Sequence, residues 1–452
     1  LINLKSMNRV ISIRNKLGGI LGFEAMGKYY QNISWLFIDR IARMASGIFL
    51  GVWLARYLGP NQFGTYNYVQ NFAGMVGILA TLGLDRIVVK ELLDKNLDRN
   101  EVLGTAFLMK LCAAIITVIL LCVLVGIIEN TTRDRYLILI VGACQLAGAL
   151  NVIDFLFQSL VASRYVVISN LVCLFASISI TITMIVTNQP LEYFVYLLLF
   201  NSIALGFLLV LIYEAKVGSI IKWKFNARIM MRLLQQGWPL ILTSSFVIFQ
   251  MKIDQVMLRL ILGVSDVGLY AAAVKISEAS YFLPMIIMSS LWPAIVKWKN
   301  LDEKMYLKKL QKLYRFMAAL ALVLALTLSL LANSIVFYLF GDAYSEAADI
   351  LRIHVWSSVF VYLGVASGAY LINEGLQRKN FYRAAVGVAV NVPLNLLLIP
   401  RFGCEGAAIS TCLSFMVSNY LYDILDTDLR CQFIMKTKSI LLFNIPSWQK
   451  AR

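Results

Sequence analysis

Two arginines three residues apart, Arg40 and Arg43, open the first long apolar stretch of the chain, with Asp39 beside them. Beyond Arg43 only Met44–Ala55 is free of charge, about 18 Å of helix against about 30 Å of bilayer hydrocarbon. If this stretch spans a membrane, both arginines lie within the membrane profile, and their i, i+3 spacing puts them on one helix face. A guanidinium presents a fixed fork of donors suited to phosphate oxygens. The competing use is an internal ion pair, because Asp39 lies four residues before Arg43, although one carboxylate cannot fully neutralise two arginines.

A second charged group comprises Lys252, Asp254, Arg259, Lys275 and Glu278. Lys252 and Arg259 are seven apart and share a helix face, and Lys275 and Glu278 are three apart on the next apolar stretch. The uncharged segments Leu233–Met251 and Ala279–Val296 can cross without them. The group is therefore expected near the far end of the spans, as the outer rung of a charge path, with Asp254 or Glu278 as a proton or sodium site. Snorkelling and salt bridging explain the same residues. Lys110 and Asp154, near the opposite ends of their spans, are weaker candidates. Tyr66, Asn67, Gln70 and Asn71 form a broad polar stripe that either lines a lumen or makes helix-packing hydrogen bonds.

Catalytic chemistry finds no support. The single histidine, His354, has no second His or Cys at ligand spacing, and Walker loops, dinucleotide fingerprints and nucleophile elbows are lacking. The seven cysteines include no CxxC pair; most lie in apolar blocks and read as small hydrophobes. No catalytic residue, metal site or cofactor is expected, and the chain does not read as an enzyme.

The elements that must hold these charges are apolar helices. Of 452 residues 60% are hydrophobic and 15% charged, too few charges to cover a soluble surface. Phe316–Gly341, Tyr165–Leu191 and Tyr193–Tyr213 carry no Asp, Glu, Lys or Arg, and each is long enough to cross a bilayer. Charge clusters and Gly, Pro and Asn punctuation divide the chain into twelve spans, near 33–57, 66–84, 104–128, 136–160, 165–187, 192–213, 235–258, 268–296, 314–340, 350–373, 381–400 and 404–422. Continuous rather than alternating apolar runs exclude a barrel. Pro284 and Pro393 read as kinks.

The net charge of +16 would ordinarily hint at nucleic acid. With the N-terminus inside, thirty of the 41 Lys and Arg residues fall in cytoplasmic segments and six in external ones. That asymmetry follows the positive-inside rule, so no nucleic-acid partner is needed. Both termini are expected in the cytoplasm. The chain begins at Leu1, so the start is read as an alternative codon, Met7 or a truncation, and residues 1–32 lack a signal-peptide core.

One long-range repeat is present. Leu58-Gly59-Pro60-Asn61-Gln62-Phe63-Gly64-Thr65-Tyr66 and Leu262-Gly263-Val264-Ser265-Asp266-Val267-Gly268-Leu269-Tyr270 share L-G-x4-G-x-Y at a displacement of 204. Each copy joins the first two spans of one half, which points to duplication of a six-span unit and a site between the halves. The organisation that follows is a cytoplasmic segment 1–32, a six-helix lobe 33–214, a cytoplasmic amphipathic linker 215–234, a second six-helix lobe 235–424 and a cytoplasmic tail 425–452.

The first hairpin, Leu54-Ala55-Arg56-Tyr57-Leu58-Gly59-Pro60 through Tyr66, resembles that of bacterial O-antigen and polysaccharide flippases of the Wzx type. So do Leu82-Gly83-Leu84 with Val88-Val89-Lys90-Glu91-Leu92, Trp238-Pro239-Leu240, Ile253-Asp254-Gln255-Val256-Met257-Leu258 and Lys275-Ile276-Ser277-Glu278. The resemblance extends from about Trp35 to the tail. It implies the multidrug/oligosaccharidyl-lipid/polysaccharide exporter fold: an all-α polytopic membrane protein with about twelve transmembrane helices in two six-helix lobes around a central cavity. It also implies transfer of an undecaprenyl-pyrophosphate-linked oligosaccharide, such as an O-antigen unit, from the inner to the outer leaflet of the bacterial cytoplasmic membrane by alternating access. Arg40 and Arg43 then read as pyrophosphate ligands in the inner cavity, and Tyr66, Asn67, Gln70 and Asn71 as sugar contacts. Expected partners are the lipid-linked oligosaccharide, membrane lipids, a coupling proton or sodium ion and polysaccharide polymerase machinery. The alternatives are a cation-coupled drug antiporter of the same fold and, further off, a membrane polymerase or acyltransferase.

Overall fold

The computed structural model describes residues 23–94 and 96–441; most of the expected N-terminal segment and the last part of the tail lie outside the described residues. Ten helical stretches among the described residues are long and apolar enough to cross a membrane. Two of them, Ser34–Leu92 and Gln377–Leu425, run to 59 and 49 residues. Straight helices of those lengths would measure about 90 and 75 Å, far beyond the bilayer. Each instead turns back on itself at a glycine.

In helix α1 (Phe23–Gly77) the reversal is at Gly59, φ 67° and ψ 171°, a backbone that side chains with a Cβ rarely adopt. Pro60 follows, where its missing N–H costs nothing at a helix start. Gly51 and Phe63 consequently meet the same side chain, Lys275, although twelve residues of straight helix would hold them about 18 Å apart. After α1 a short turn leads to α2 (Asp85–Leu92). The remaining helices of this half are α3 (Arg99–Ile128), α4 (Thr132–Gly148), α5 (Val152–Ser159), α6 (Arg164–Val186) and α7 (Leu191–Lys216).

The second half contains α8 (Ala227–Ile261), α9 (Val264–Ala279), α10 (Phe282–Leu301), α11 (Glu303–Leu330), α12 (Ala332–Phe340), α13 (Ala347–His354), α14 (Ser357–Asn373) and α15 (Gln377–Met416). The second reversal lies within α15 at Gly403, φ 59°. There a Cβ on Gly406 would come within 2.3 Å of the Leu398 carbonyl oxygen. With each reversal counted as two passes, the ten stretches make the twelve crossings expected. A tail helix, α16 (Arg430–Ile440), docks on the second half. Its Lys436 joins Asp423 at 2.9 Å, and Arg383 pairs with the other carboxylate oxygen, all three side chains being buried.

Two segments carry more detail than the sequence-based expectation. Residues 215–234, the expected linker, comprise a helix end, a turn and the start of α8. Gly218, at φ 149°, ends the preceding helix, and Asn226 starts α8 by accepting from the Arg228 and Ile229 amides. The helix that carries the ninth span begins well before residue 314, because α11 carries its lysines along a polar face from Glu303. The last part of that expected span, 332–340, is a separate helix.

The hydrophobic core explains how the halves sit. One cluster holds Leu54, Ala55, Phe63 and Leu137 together with Val256, Val267, Ala271 and Ala407, so at the Gly59 end both halves share a core. At the other end the core divides. Leu84, Val102 and Leu156 lie in one cluster, and Ile295, Tyr314 and Tyr362 in another. The two lobes thus converge at the Gly59 end and part at the opposite end. Helix α8 links them: Ile229 and Leu233 pack in the first-half cluster, whereas Val256 and Leu258 pack in the shared one.

The shared end closes through the repeat itself. A Cβ on Gly64 would lie 1.9 Å from the Val264 carbonyl oxygen, and one on Gly268 would lie 2.0 Å from that of Pro60. Pro60 and Val264, like Gly64 and Gly268, occupy equivalent repeat positions, so the contact is reciprocal, as at a two-fold axis. Small residues let the backbones of α1 and α9 approach this closely. Spin labels at Asn61 and Ser265, in a background lacking the native cysteines, should report a longer distance in Gly268→Leu than in wild type. An unchanged distance would mean that glycine does not set this approach.

Candidate substrate and ion sites

Arg40 and Arg43 project from the first arm of α1, toward the end where the cores part. Asp39 takes Arg43 in a bidentate pair at 2.9–3.0 Å. Arg40 is left with no carboxylate partner among the described residues; its Nη2 lies 3.2 Å from the Met285 Sδ on α10. The side chain is exposed and reaches toward the second half. The two arginines therefore differ in kind: one is neutralised locally and the other keeps a free fork of donors.

Lys275 lies about 16 Å further along α1, where the absence of a side chain at Gly51 makes room for it. Its ammonium sits 5.8 Å from the centre of the Phe63 ring, and no carboxylate among the described residues is within ion-pair distance. Lys252 and Glu278 pair with each other at 3.2 Å. One face of α1 thus carries Arg40 and meets Lys275, two cations with no carboxylate partner among the described residues.

The second charged group is not brought together in one cluster, and helix geometry gives the reason. Residues 252 and 254 are separated by about 200° around α8, whereas 252 and 259 nearly coincide. Asp254 accordingly points away from Lys252 into a buried knot of four helical segments and is 1% exposed. It accepts from Asn395 Nδ2 at 2.6 Å, from the Tyr270 hydroxyl at 3.0 Å and from the Thr411 hydroxyl. Asn395 also donates to Asn391 Oδ1 at 2.9 Å. Asn391 Nδ2 and Asn395 Oδ1 are buried without partners. Turning the Asn395 amide over would aim its oxygen at Asp254, an arrangement stabilised only by a cation or proton between them. Pro393, between the two asparagines, withholds an amide and frees a helix carbonyl. A carboxylate, amide oxygens and hydroxyls are hard oxygen donors of the type that hold alkali ions.

Arg259 crosses between the halves. Its Nη2 lies 2.9 Å from Asp134 and 4.0 Å from Glu129, at the turn from α3 to α4. Glu129 also accepts from the Tyr68 hydroxyl. Of the expected polar stripe, Asn71 donates across the seam to Gln255 Oε1 at 2.6 Å. Asn67 and Gln70 each donate to the carbonyl four residues back, and Tyr66 is partly buried against the shared core. Lys110 packs over the Phe155 ring at 4.9 Å, and Asp154 accepts from Gln158. His354 is buried, with its Nδ1 2.7 Å from the Ser277 hydroxyl.

Sequence reading missed Asn391, Asn395, Tyr270 and Thr411 around Asp254, and Glu129 and Asp134 opposite Arg259. A signal existed for the asparagines, two amides at i, i+4 on one face of an apolar span, but Pro393 between them drew the reading toward a kink. Nothing local marks Tyr270 or Thr411. Arg259→Gln would leave two buried carboxylates without their cation, at a cost of about 3–5 kcal/mol. Thermal unfolding in detergent should show that loss, and Asp134→Asn in the same chain should recover part of it.

Residues 29–299, more than half of the chain, match the family model described as polysaccharide biosynthesis protein. A probable low-salt glycan biosynthesis flippase, Agl15 of Haloferax volcanii, is 22% identical over 83% of this chain and 78% of its own length. The capsular polysaccharide biosynthesis protein CapF of Staphylococcus aureus is 21% identical over 87% of this chain and 98% of its own. Among solved structures, an inward-facing multidrug resistance MATE family transporter of the MOP superfamily superposes with a TM-score of 0.67 at 13% identity, covering 91% of this chain and 98% of the other. The lipid II flippase MurJ, in an inward closed conformation, gives 0.65 at 14% identity, covering 91% of each chain. These two likenesses establish the two-lobe helical transporter fold.

Proposed function

The chain belongs to the polysaccharide biosynthesis protein family, and from that premise we propose that it is a flippase that carries a lipid-linked glycan across the membrane by alternating access. The observation that carries this reading is the pair of unneutralised cations, Arg40 and Lys275, facing one arm of α1 between the lobes. Unpaired cations at membrane depth are costly and mark a pathway for an anion. A lipid-linked glycan supplies that anion as a phosphate or pyrophosphate at the junction of lipid and sugar. We take the carrier to be undecaprenyl pyrophosphate, with Arg40 and Arg43 as the entry ligands and Lys275 as the deeper one. The sugar then occupies the space beside Tyr66, Asn67, Gln70 and Asn71, and the lipid tail stays between the lobes.

The positive-inside asymmetry supports cytoplasmic termini and insertion in the bacterial cytoplasmic membrane. In that orientation the lobes, 33–214 and 235–424, part toward the cytoplasm and meet at the outer face, the state that accepts substrate. Opening outward must separate Gly64 from Gly268 and Arg259 from Asp134. Asp254 with Asn391, Asn395 and Thr411 is the candidate coupling site for sodium or a proton, and a polymerase acting on the delivered glycan is the expected neighbour. O-antigen is one such glycan. The drug-antiporter reading is favoured by the MATE likeness and by the buried Asp254. It lacks an explanation for cations facing the cavity, because drug antiporters of cationic cargo need acidic walls.

Purified protein in liposomes containing lipid-linked oligosaccharide should speed exposure of the sugar to an external glycosidase. No acceleration over empty liposomes by folded protein would remove the flippase reading. Loss of a charge-assisted contact of about 1.5–3 kcal/mol predicts that Arg40→Ala slows transport about 10- to 100-fold. Arg43→Ala should slow it less, because Asp39 already occupies that guanidinium. Asp254→Asn should abolish any dependence of the rate on sodium or on a proton gradient while leaving substrate-protected unfolding intact.

A further inference from the structure

Helix α12 lies at the Gly59 end and crosses nothing. Ala332, Val336 and Phe340 form its buried face, while Asn333, Ser334, Phe337 and Tyr338 face outward. With Asp342 and Ser345 of the following turn these outward residues line a concavity of about 410 Å³, within the range of small-ligand sites. Phe337 and Tyr338 are 53% and 76% exposed, with ring centroids 5.5 Å apart and planes at 73°. Among the described residues nothing hydrogen-bonds the side chains of Asn333, Ser334 or Asp342.

The chemistry of this lining selects a ligand. An amide, a hydroxyl and a carboxylate, all unpartnered, exclude a position in hydrocarbon, where each would carry a desolvation cost without return. The lining contains no Lys or Arg, and Asp342 contributes a negative charge, so phosphate and other anions are disfavoured. What remains is a neutral or amino-bearing polyol with apolar C–H faces. Its hydroxyls would pair with Asn333, Ser334 and Asp342, and its C–H face would pack on the exposed rings.

The floor of the concavity is also tied to the seam between the lobes. Arg56 of α1 donates to the carbonyl oxygens of Tyr338 and of Leu339, the latter at 2.7 Å. The Tyr344 hydroxyl donates to the Ala55 carbonyl at 2.8 Å, and the Phe63 ring meets Tyr344 at 6.2 Å. A ligand resting on α12 and the 341–345 turn therefore touches the segment that grips both arms of the α1 hairpin.

We propose that the outward face of α12 and the turn after it form a saccharide-binding subsite, separate from the cationic cavity, that receives sugar at the outer face. The ligand class is read from the lining itself, whereas its role as a receiving site rests on the flippase reading. Saturation-transfer difference NMR on the full chain in nanodiscs tests it, with the methyl glycosides of glucose, galactose, mannose, rhamnose, N-acetylglucosamine and N-acetylgalactosamine as probes. At least one glycoside should take up saturation, most strongly at its ring C–H protons. The signal should fall at least fivefold in Phe337→Ala/Tyr338→Ala and in Asp342→Lys, and stay unchanged in Lys308→Ala, an exposed residue of α11. Both rings are exposed, so thermal unfolding of the double variant should match wild type. A signal for no glycoside above empty nanodiscs, or a full signal in the double variant, overturns the subsite and leaves the transport reading to its own assay. Saccharide binding without any flipping would keep the subsite and remove its role as a receiving site.

Discussion

Charge inside a low-dielectric layer must be neutralised or must face water, and the arrangement of this protein follows from how each buried charge meets that requirement. Arg383 and Lys436 share Asp423 and so tie the tail helix to the second lobe. Arg259 finds Asp134 in the other lobe and holds one end of the seam. Lys252 and Glu278 neutralise each other. Against this background Arg40 and Lys275 have no carboxylate partner among the described residues, and neither has Lys110, which packs on the Phe155 ring.

The seam differs along its length. A continuous hydrophobic core across both lobes would resist separation, but the shared cluster occupies one end only. There the closest approach is backbone to backbone, between Gly64 and Gly268. That glycine contact brings van der Waals packing without interlocked side chains, so the specific interactions across the seam are those of the shared core, the Arg259–Asp134 pair and the Asn71–Gln255 hydrogen bond. Helix α8 runs between the two cores and carries Pro239 within its first half.

Much of this is legible in the order of the residues alone. The twelve crossings can be counted although helix continuity hides two of them, because Gly59 and Gly403 interrupt the apolar pattern as clearly as a loop would. The weight placed on Arg40 is legible too, from the short charge-free run that follows Arg43. The Asp39–Arg43 pair is visible as an i, i+4 spacing, but which arginine is left free is not, since that depends on what α10 presents opposite. Within the expected linker, the hydrophobic and basic residues between 215 and 234 do not reveal that Asn226 caps a new helix.

Sequence by itself determined the class, the number of crossings, the repeat and the charges that a membrane would have to accommodate. These depend on local composition, on helical spacing and on the fixed thickness of a bilayer, all of which act along the chain. Only the tertiary structure decided which charges are spent on one another. Asp254 and Thr411 are 157 positions apart and Arg259 and Asp134 are 125 apart, and no periodicity links residues brought together by different helices. Whether a buried arginine is structural or available to a substrate is a question of which side chain faces it across a helix interface, and that is set when the lobes pack.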